Sequence, residues 1–262
     1  MSPLYSALGR RLADYLCTPK RQGSHVATVA PELLAATLRP GDVLLVEGNT
    51  RISVAIKYLT QSTWSHAALY IGNALGPEPC GEEPRVLIEA DLREGVRAVP
   101  LGLYADMHTR ICRPVGLSSA DAKKLVSWAM ERIGHRYDMK NVLDLARYLI
   151  PTPPVPARWR RRMLSLGSGD PSRAICSTLI AQAFHSLHYP ILPDVTREES
   201  GDPLCQDCYR EVLHLRHHSL YTPRDFDISP YFEVVKPMLA YDFDYRGIAW
   251  AEDSSVLLPN AA

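Results

Sequence analysis

The spacing of apolar positions changes from segment to segment along this chain, and each spacing predicts an element. Leu4, Leu8, Leu12 and Leu16 stand four apart, with Tyr5 and Tyr15 beside the stripe and Arg10, Arg11 and Asp14 off it. This pattern predicts an amphipathic helix over residues 4–16. Its stripe has two uses: docking on the protein's own core, or lying on a membrane surface with Lys20 and Arg21 nearby. Leu38-Arg39-Pro40-Gly41-Asp42 reads as a turn into a strand at 43–46. Ile52, Ile56 and Leu59 have helical spacing, and 67–71 is a buried strand closed by Gly72-Asn73. After a loop rich in Gly, Pro and Glu at 74–84, strands follow at 86–90, 96–99 and 110–115.

The clearest helix is 119–134, with Ala122, Leu125, Val126, Ala129, Met130 and Ile133 on one face. Ser118 with Asp121 resembles a capping box, and Gly134 is a stop. A second helix at 141–150 is halted by Pro151-Thr152-Pro153-Pro154. Residues 151–173 read as an inserted loop carrying Arg158, Arg160, Arg161 and Arg162 around Trp159. An apolar helix then runs over 176–187, and the rest is a Pro-, Tyr- and Asp-rich tail expected to wrap the domain. The expected divisions are 1–37 as helix and linker, 38–195 as a catalytic domain, and 196–262 as the tail.

Composition bounds the function more than it names it. Of 262 residues, 46% are hydrophobic and 22% charged, as in a globular protein with a full core. Lys+Arg and Asp+Glu are both 29, so no whole-molecule charge recommends nucleic acid as a partner. Six cysteines, Cys17, Cys80, Cys112, Cys176, Cys205 and Cys208, are too scattered for a disulfide scaffold and suit reduced thiols. With no apolar run of about 18 residues and an N-terminus interrupted by Arg10, Arg11 and Asp14, the expected location is cytoplasmic, with a peripheral membrane contact through residues 4–16.

Two segments carry the chemistry. Cys176 opens an apolar helix, where free backbone N–H groups and the helix dipole favour a thiolate and can hold an oxyanion. Alone, a helical cysteine beside Ile and Leu is more often a buried core residue than a nucleophile. His66 stands at the mouth of the 67–71 strand, where a general base belongs, although a structural histidine also fits. Glu89 lies inside an apolar strand, where an unpaired charge is costly, and an imidazole on an adjacent strand would satisfy it. The other reading places Glu89 on an exposed strand face. Cys205-Gln206-Asp207-Cys208, followed by His214, His217 and His218, admits zinc, a reversible disulfide or inert loop residues. The Arg cluster at 158–162 is either a phosphate-binding patch or a solvated loop.

Taken in order, Pro40-Gly41-Asp42-Val43-Leu44-Leu45, Ser65-His66-Ala67-Ala68-Leu69-Tyr70-Ile71-Gly72, Leu87-Ile88-Glu89-Ala90, Gly95-Val96, Gly134-His135-Arg136-Tyr137-Asp138 and Cys176-Ser177 resemble the circularly permuted NlpC/P60 cysteine hydrolases of the YiiX/YebB-like group. The resemblance spans roughly residues 38–190. It implies an α+β, permuted papain-like fold with a small antiparallel sheet packed on helices. It implies Cys176 as nucleophile, His66 as base, Glu89 as the residue that orients it and Tyr137 near the active site; Ser177 and Ser65, next to Cys176 and His66, are further candidates for the substrate and oxyanion pocket. No cofactor or metal is implied. The expected function is a thiol hydrolase acting on a peptide, amide or ester. Its rivals are an acyltransferase or thioesterase-like enzyme acting on lipid-like acyl substrates with the same three residues, and an inactive binding module.

Overall fold

The computed structural model describes residues 29–135, 175–199 and 209–237, together with Tyr15, Thr18, Ala27 and Arg246. Apart from Tyr15, the stripe at 4–16 lies outside the described residues. So do the helix expected at 141–150, Tyr137, the 151–173 insertion and the Cys205–Cys208 pair.

The first described element is α1 (Pro31–Thr37), where Pro at the first turn suits the missing intrahelical bond. β1 (Val43–Val46) follows, then α2 (Arg51–Thr60), β2 (His66–Tyr70), β3 (Arg85–Asp91), β4 (Gly95–Pro100) and β5 (Thr109–Pro114). α3 (Ser119–Met130), α4 (Ile175–His185), β6 (Asp194–Glu199), β7 (Tyr209–His214), α5 (Pro223–Ile228) and β8 (Phe232–Val235) complete the described elements. Six strands form one antiparallel sheet in the order β4-β3-β2-β1-β5-β8, and β6 and β7 pair as a separate ribbon.

β1 explains the layering. All four of its residues are apolar and fully buried, although strand side chains alternate between faces. Both faces of the sheet centre are therefore covered. Val43 and Leu45 join Leu125, Ile180, Phe184 and Phe226 on the side of α3, α4 and α5. Leu44 and Val46 join Leu34, Leu87, Leu101 and Tyr104 on the side of α1 and the 3-10 turn Leu101–Tyr104. The turn before β1 needs Gly41, whose φ of +98° would strain any other residue and whose hydrogen stands where a Cβ would press on Leu117 at 3.1 Å.

The helix expected over 119–134 ends at Met130, and its last residues form a turn instead. Ser118 caps its start, accepting the Asp121 N–H at 3.1 Å. Gly134 (φ +87°) ends the turn and donates its N–H to Val96 O at 2.8 Å, so the stop is set by contact with β4. Part of the segment from 196 onward is built into the main core rather than only wrapping it. β8 pairs with β5, and Tyr221, Phe226 and Phe232 are buried against α4, with the Phe184 and Phe232 rings 5.1 Å apart. Elements of four to six residues are too short to display a period, which is why the sequence reads as a tail there.

Candidate active site

Register determines what meets. β1 pairs with β2 from Val43↔Leu69 to Val46↔His66, so His66 stands at the end of the ladder beside the loop that leaves β1. β2 pairs with β3 only at Leu69↔Ile88 and Tyr70↔Leu87. Toward the His66 end the two strands are joined by side chains: His66 Nε2 lies 2.5 Å from Glu89 Oε2. The partner that Glu89 needs is thus supplied from the adjacent strand. In the hairpin to β4, Glu89 is directly opposite Arg97, which donates from Nε and Nη2 to Oε1, each at 2.8 Å. Tyr104, from the 3-10 turn, donates its hydroxyl to the same Oε2 that His66 uses.

The Glu89 side chain is only 2% exposed, and burial by itself would raise its pKa. The His66 hydrogen bond and charge, the Tyr104 hydroxyl and the Arg97 guanidinium outweigh burial and hold it at about 2. An ionised carboxylate only accepts, so His66 Nε2 carries the proton in this contact and Nδ1 is left for another partner. Cys176 lines the same cleft beside the ring. For His66, burial works against the charged form, but Cys176 and then Glu89 raise the imidazole well above its ordinary range. Tyr104 is held neutral, raised first by burial and then by Glu89.

Cys176 reaches this place because it lies in the first turn of α4, a helix otherwise anchored by Leu179, Ile180, Ala183 and Phe184 in the core. The thiol, the imidazole and the carboxylate line one cleft of about 280 Å³. Ile52, Ile56, Leu103 and Met107 form an apolar side to it. A larger cavity of about 850 Å³, lined by Arg39, Arg113, Leu117 and Lys123 among others, includes no thiol or imidazole. Chemistry rather than size distinguishes the two.

The remaining expected site residues fall apart in space. Ser65 is buried and lines the cleft, with its Oγ accepting the Gly48 N–H at 2.9 Å. Ser177 is fully buried, is not among the cleft-lining residues, and donates to Tyr221 O at 2.7 Å, tying α4 to the segment before α5. Sequence reasoning missed Tyr104 and Arg97. Pairing the strand at 86–90 with that at 96–99 would have brought Arg97 opposite Glu89. Nothing in the pattern announces Tyr104. Among the described residues no group of three or more His, Cys, Asp or Glu is placed to hold a metal ion, and no helix is long and apolar enough to cross a membrane.

Residues 37–148 match a family described as permuted papain-like amidase enzymes, the YaeF/YiiX, C92 family. The match takes in His66 and Glu89 and stops before Cys176. It supports the permuted papain-like reading of this α+β fold and points to cysteine amidase chemistry, without carrying the NlpC/P60 label. A comparison with the curated proteins finds no match. Among solved structures, the crystal structure of the metalloprotein yiiX from Escherichia coli O157:H7 is similar, at 17% identity and a TM-score of 0.44. That alignment covers 76% of this chain and 97% of the other.

Proposed function

We propose that this protein is a thiol hydrolase that cleaves an amide or ester bond, with Cys176 as nucleophile, His66 as general base and acid, and Glu89 as the residue that orients His66. One observation carries the reading: the Cys176 thiol, the His66 imidazole and the Glu89 carboxylate line one cleft, with His66 bonded to Glu89 and beside Cys176. His66 Nδ1 takes the thiol proton, and the sulfur attacks the carbonyl carbon as the C=O electrons move onto oxygen. The Cys176 backbone N–H, in the first turn of α4, donates to that oxygen. The intermediate collapses to a thioester as the leaving amine or alkoxide takes the proton from His66. Water then attacks the thioester, His66 takes its proton, and the acid leaves as the thiol is restored.

The apolar side of the cleft suits a substrate with an apolar group beside the scissile carbonyl. The family description names amidases and gives no support to acyl transfer onto lipids. The permuted NlpC/P60 lineage is the finer form of the same proposal, as is action in the cytoplasm on a peptide, amide or acyl compound.

Labelling with a small thiol-reactive probe at pH 7 tests the assignment. Wild-type protein should be labelled at Cys176, and Cys176→Ala should lose both the label and any amidase or esterase turnover. Equal labelling of exposed Cys80 or another cysteine in the wild type would remove Cys176 as the activated thiol.

A further inference from the structure

Among the described residues that line the cleft, one polar side chain bonds no other described residue. Thr50 and Ser53 hydroxyls bond each other at 2.8 Å, and Ser65 Oγ accepts from Gly48. Asp91 accepts the backbone N–H groups of Arg93 and Glu94, while Arg97 and Tyr104 are committed to Glu89. Asn49 lines the same cleft, is half-buried, and makes no hydrogen bond through its carboxamide to any described residue.

Its position is held from both sides. Gly48, before it, is pinned through its N–H to Ser65 Oγ, and Ser65 is the residue preceding His66. A Cβ on Gly48 would come within 2.3 Å of Ser53 Oγ and 3.0 Å of Ser65 Oγ, so only glycine fits against both hydroxyls. Thr50, after it, caps α2 by accepting the Ser53 N–H at 3.2 Å. The link from β1 to α2 is therefore tied to the base's own strand, and Asn49 sits between its two anchored neighbours. The Gly48 N–H, already used, is not free to serve a substrate.

A developing oxyanion in acyl transfer is stabilised best by donors fixed in advance around it, and a side-chain carboxamide is one of the groups that serves. We infer that Asn49 is a catalytic residue of the hydrolase proposed above, donating its carboxamide N–H to the carbonyl oxygen of the substrate as that oxygen becomes an oxyanion. It would act together with the Cys176 backbone N–H, which borders the same cleft. The inference rests on the thiol-hydrolase reading, and it commits to a substrate whose reacting group is an acyl carbonyl.

The test separates two reactions of one thiol in the full chain. Iodoacetamide alkylates sulfur by displacement at a saturated carbon and forms no oxyanion, so its rate reads the Cys176–His66 array alone. A p-nitrophenyl ester acylates the same sulfur through an oxyanion. Asn49→Ala and the near-isosteric Asn49→Asp, which lacks the N–H donor, should keep the wild-type alkylation rate. Both should lower the nitrophenolate burst rate by about 10²-fold, the order found on removing one such donor. A burst rate within a few-fold of wild type in both variants would overturn the assignment. So would an equal fall in alkylation and acylation, which would mean that Asn49 acts through the thiol or the fold. If wild-type Cys176 is neither alkylated nor acylated, the hydrolase reading itself falls and this inference with it.

Discussion

Two carboxylates are buried in the sheet, and their different partners separate scaffold from chemistry. Asp42 enters β1 from the turn at Gly41 and is 1% exposed. Arg113, from β5, grips it with two bonds, Nε to Oδ1 at 2.9 Å and Nη2 to Oδ2 at 2.7 Å, and the Arg39 N–H adds a third at 2.8 Å. Arg113 also donates to Thr37 O at 2.8 Å, so the pair fastens α1 to the sheet. Glu89 is equally buried and equally well bonded, with Arg97 and Tyr104 in corresponding roles. It differs in one partner. A guanidinium never gives up its proton near neutrality, whereas an imidazole does. Glu89 keeps Nε2 protonated, and in the proposed mechanism Nδ1 is the nitrogen that exchanges a proton with the Cys176 sulfur. Burial and pairing thus make a latch, and burial and pairing beside a titrating group that borders a cleft make a site.

The sharpest way to break this comparison is to neutralise both acids. Glu89→Gln should lower the rate of Cys176 acylation by about 10²-fold or more, the range for losing acid–base function, while leaving a folded protein. Asp42→Ala should leave the rate per folded molecule unchanged and cost about 3 kcal/mol of stability, because Arg113 loses its buried partner. Burst kinetics and denaturant melts on the two variants check this. If Asp42→Ala silences the thiol, or Glu89→Gln does not, the division of labour fails.

A pH series sharpens it next. The Glu89 carboxyl is near 4.5 when unfolded and at about 2 when folded. The unfolded chain therefore binds more protons between those values, so this group's contribution is complete above 4.5 and is lost as pH falls toward 2. His66 is shifted the other way. Its contribution is complete below 6.5 and is lost only as pH rises through its elevated folded value. Melting temperature should fall from about pH 4.5 to about pH 2, and Glu89→Gln should flatten that fall. A slope unchanged by the substitution would show that Glu89 is not ionised in the native state.

The smallest effect is expected at Tyr104. Tyr104→Phe removes one of the donors to Glu89 and leaves Arg97 and His66 in place. It should cost about 1 kcal/mol of stability and a few-fold in acylation. A loss as large as that of Glu89→Gln would mean that the hydroxyl, not the carboxylate, governs His66.

Much of this was legible before any coordinates. β1 falls on 43–46 as expected, and the strands containing His66 and Glu89 and the helix of Cys176 lie within one residue of their expected starts, because each is a run of apolar residues bounded by turn or charged residues. Glu89 could be singled out because a charge inside such a run requires a partner. Tyr104 was not legible, since a 3-10 turn after β4 carries no period, and α5 and β8 were too short to announce themselves. The Asn49 position was equally hidden: a polar residue in a connection looks like any other until its neighbours' hydrogen bonds are seen.

The chain's local chemistry determined which side chains could react and which elements would carry them, because period, turn residues and buried charge act over a few positions. Only the tertiary structure decided that they meet. Cys176 is more than a hundred residues from His66 in sequence, and what joins them is the antiparallel register of β1, β2 and β3 with α4 packed across it. Cys112 makes the same point from the other side. It is a cysteine in an apolar strand, fully buried in the core beneath α4, and burial drives its thiol up to about 12. The two thiols differ in surroundings: one is enclosed by hydrocarbon, and the other lines a cleft with an imidazole held by a buried carboxylate.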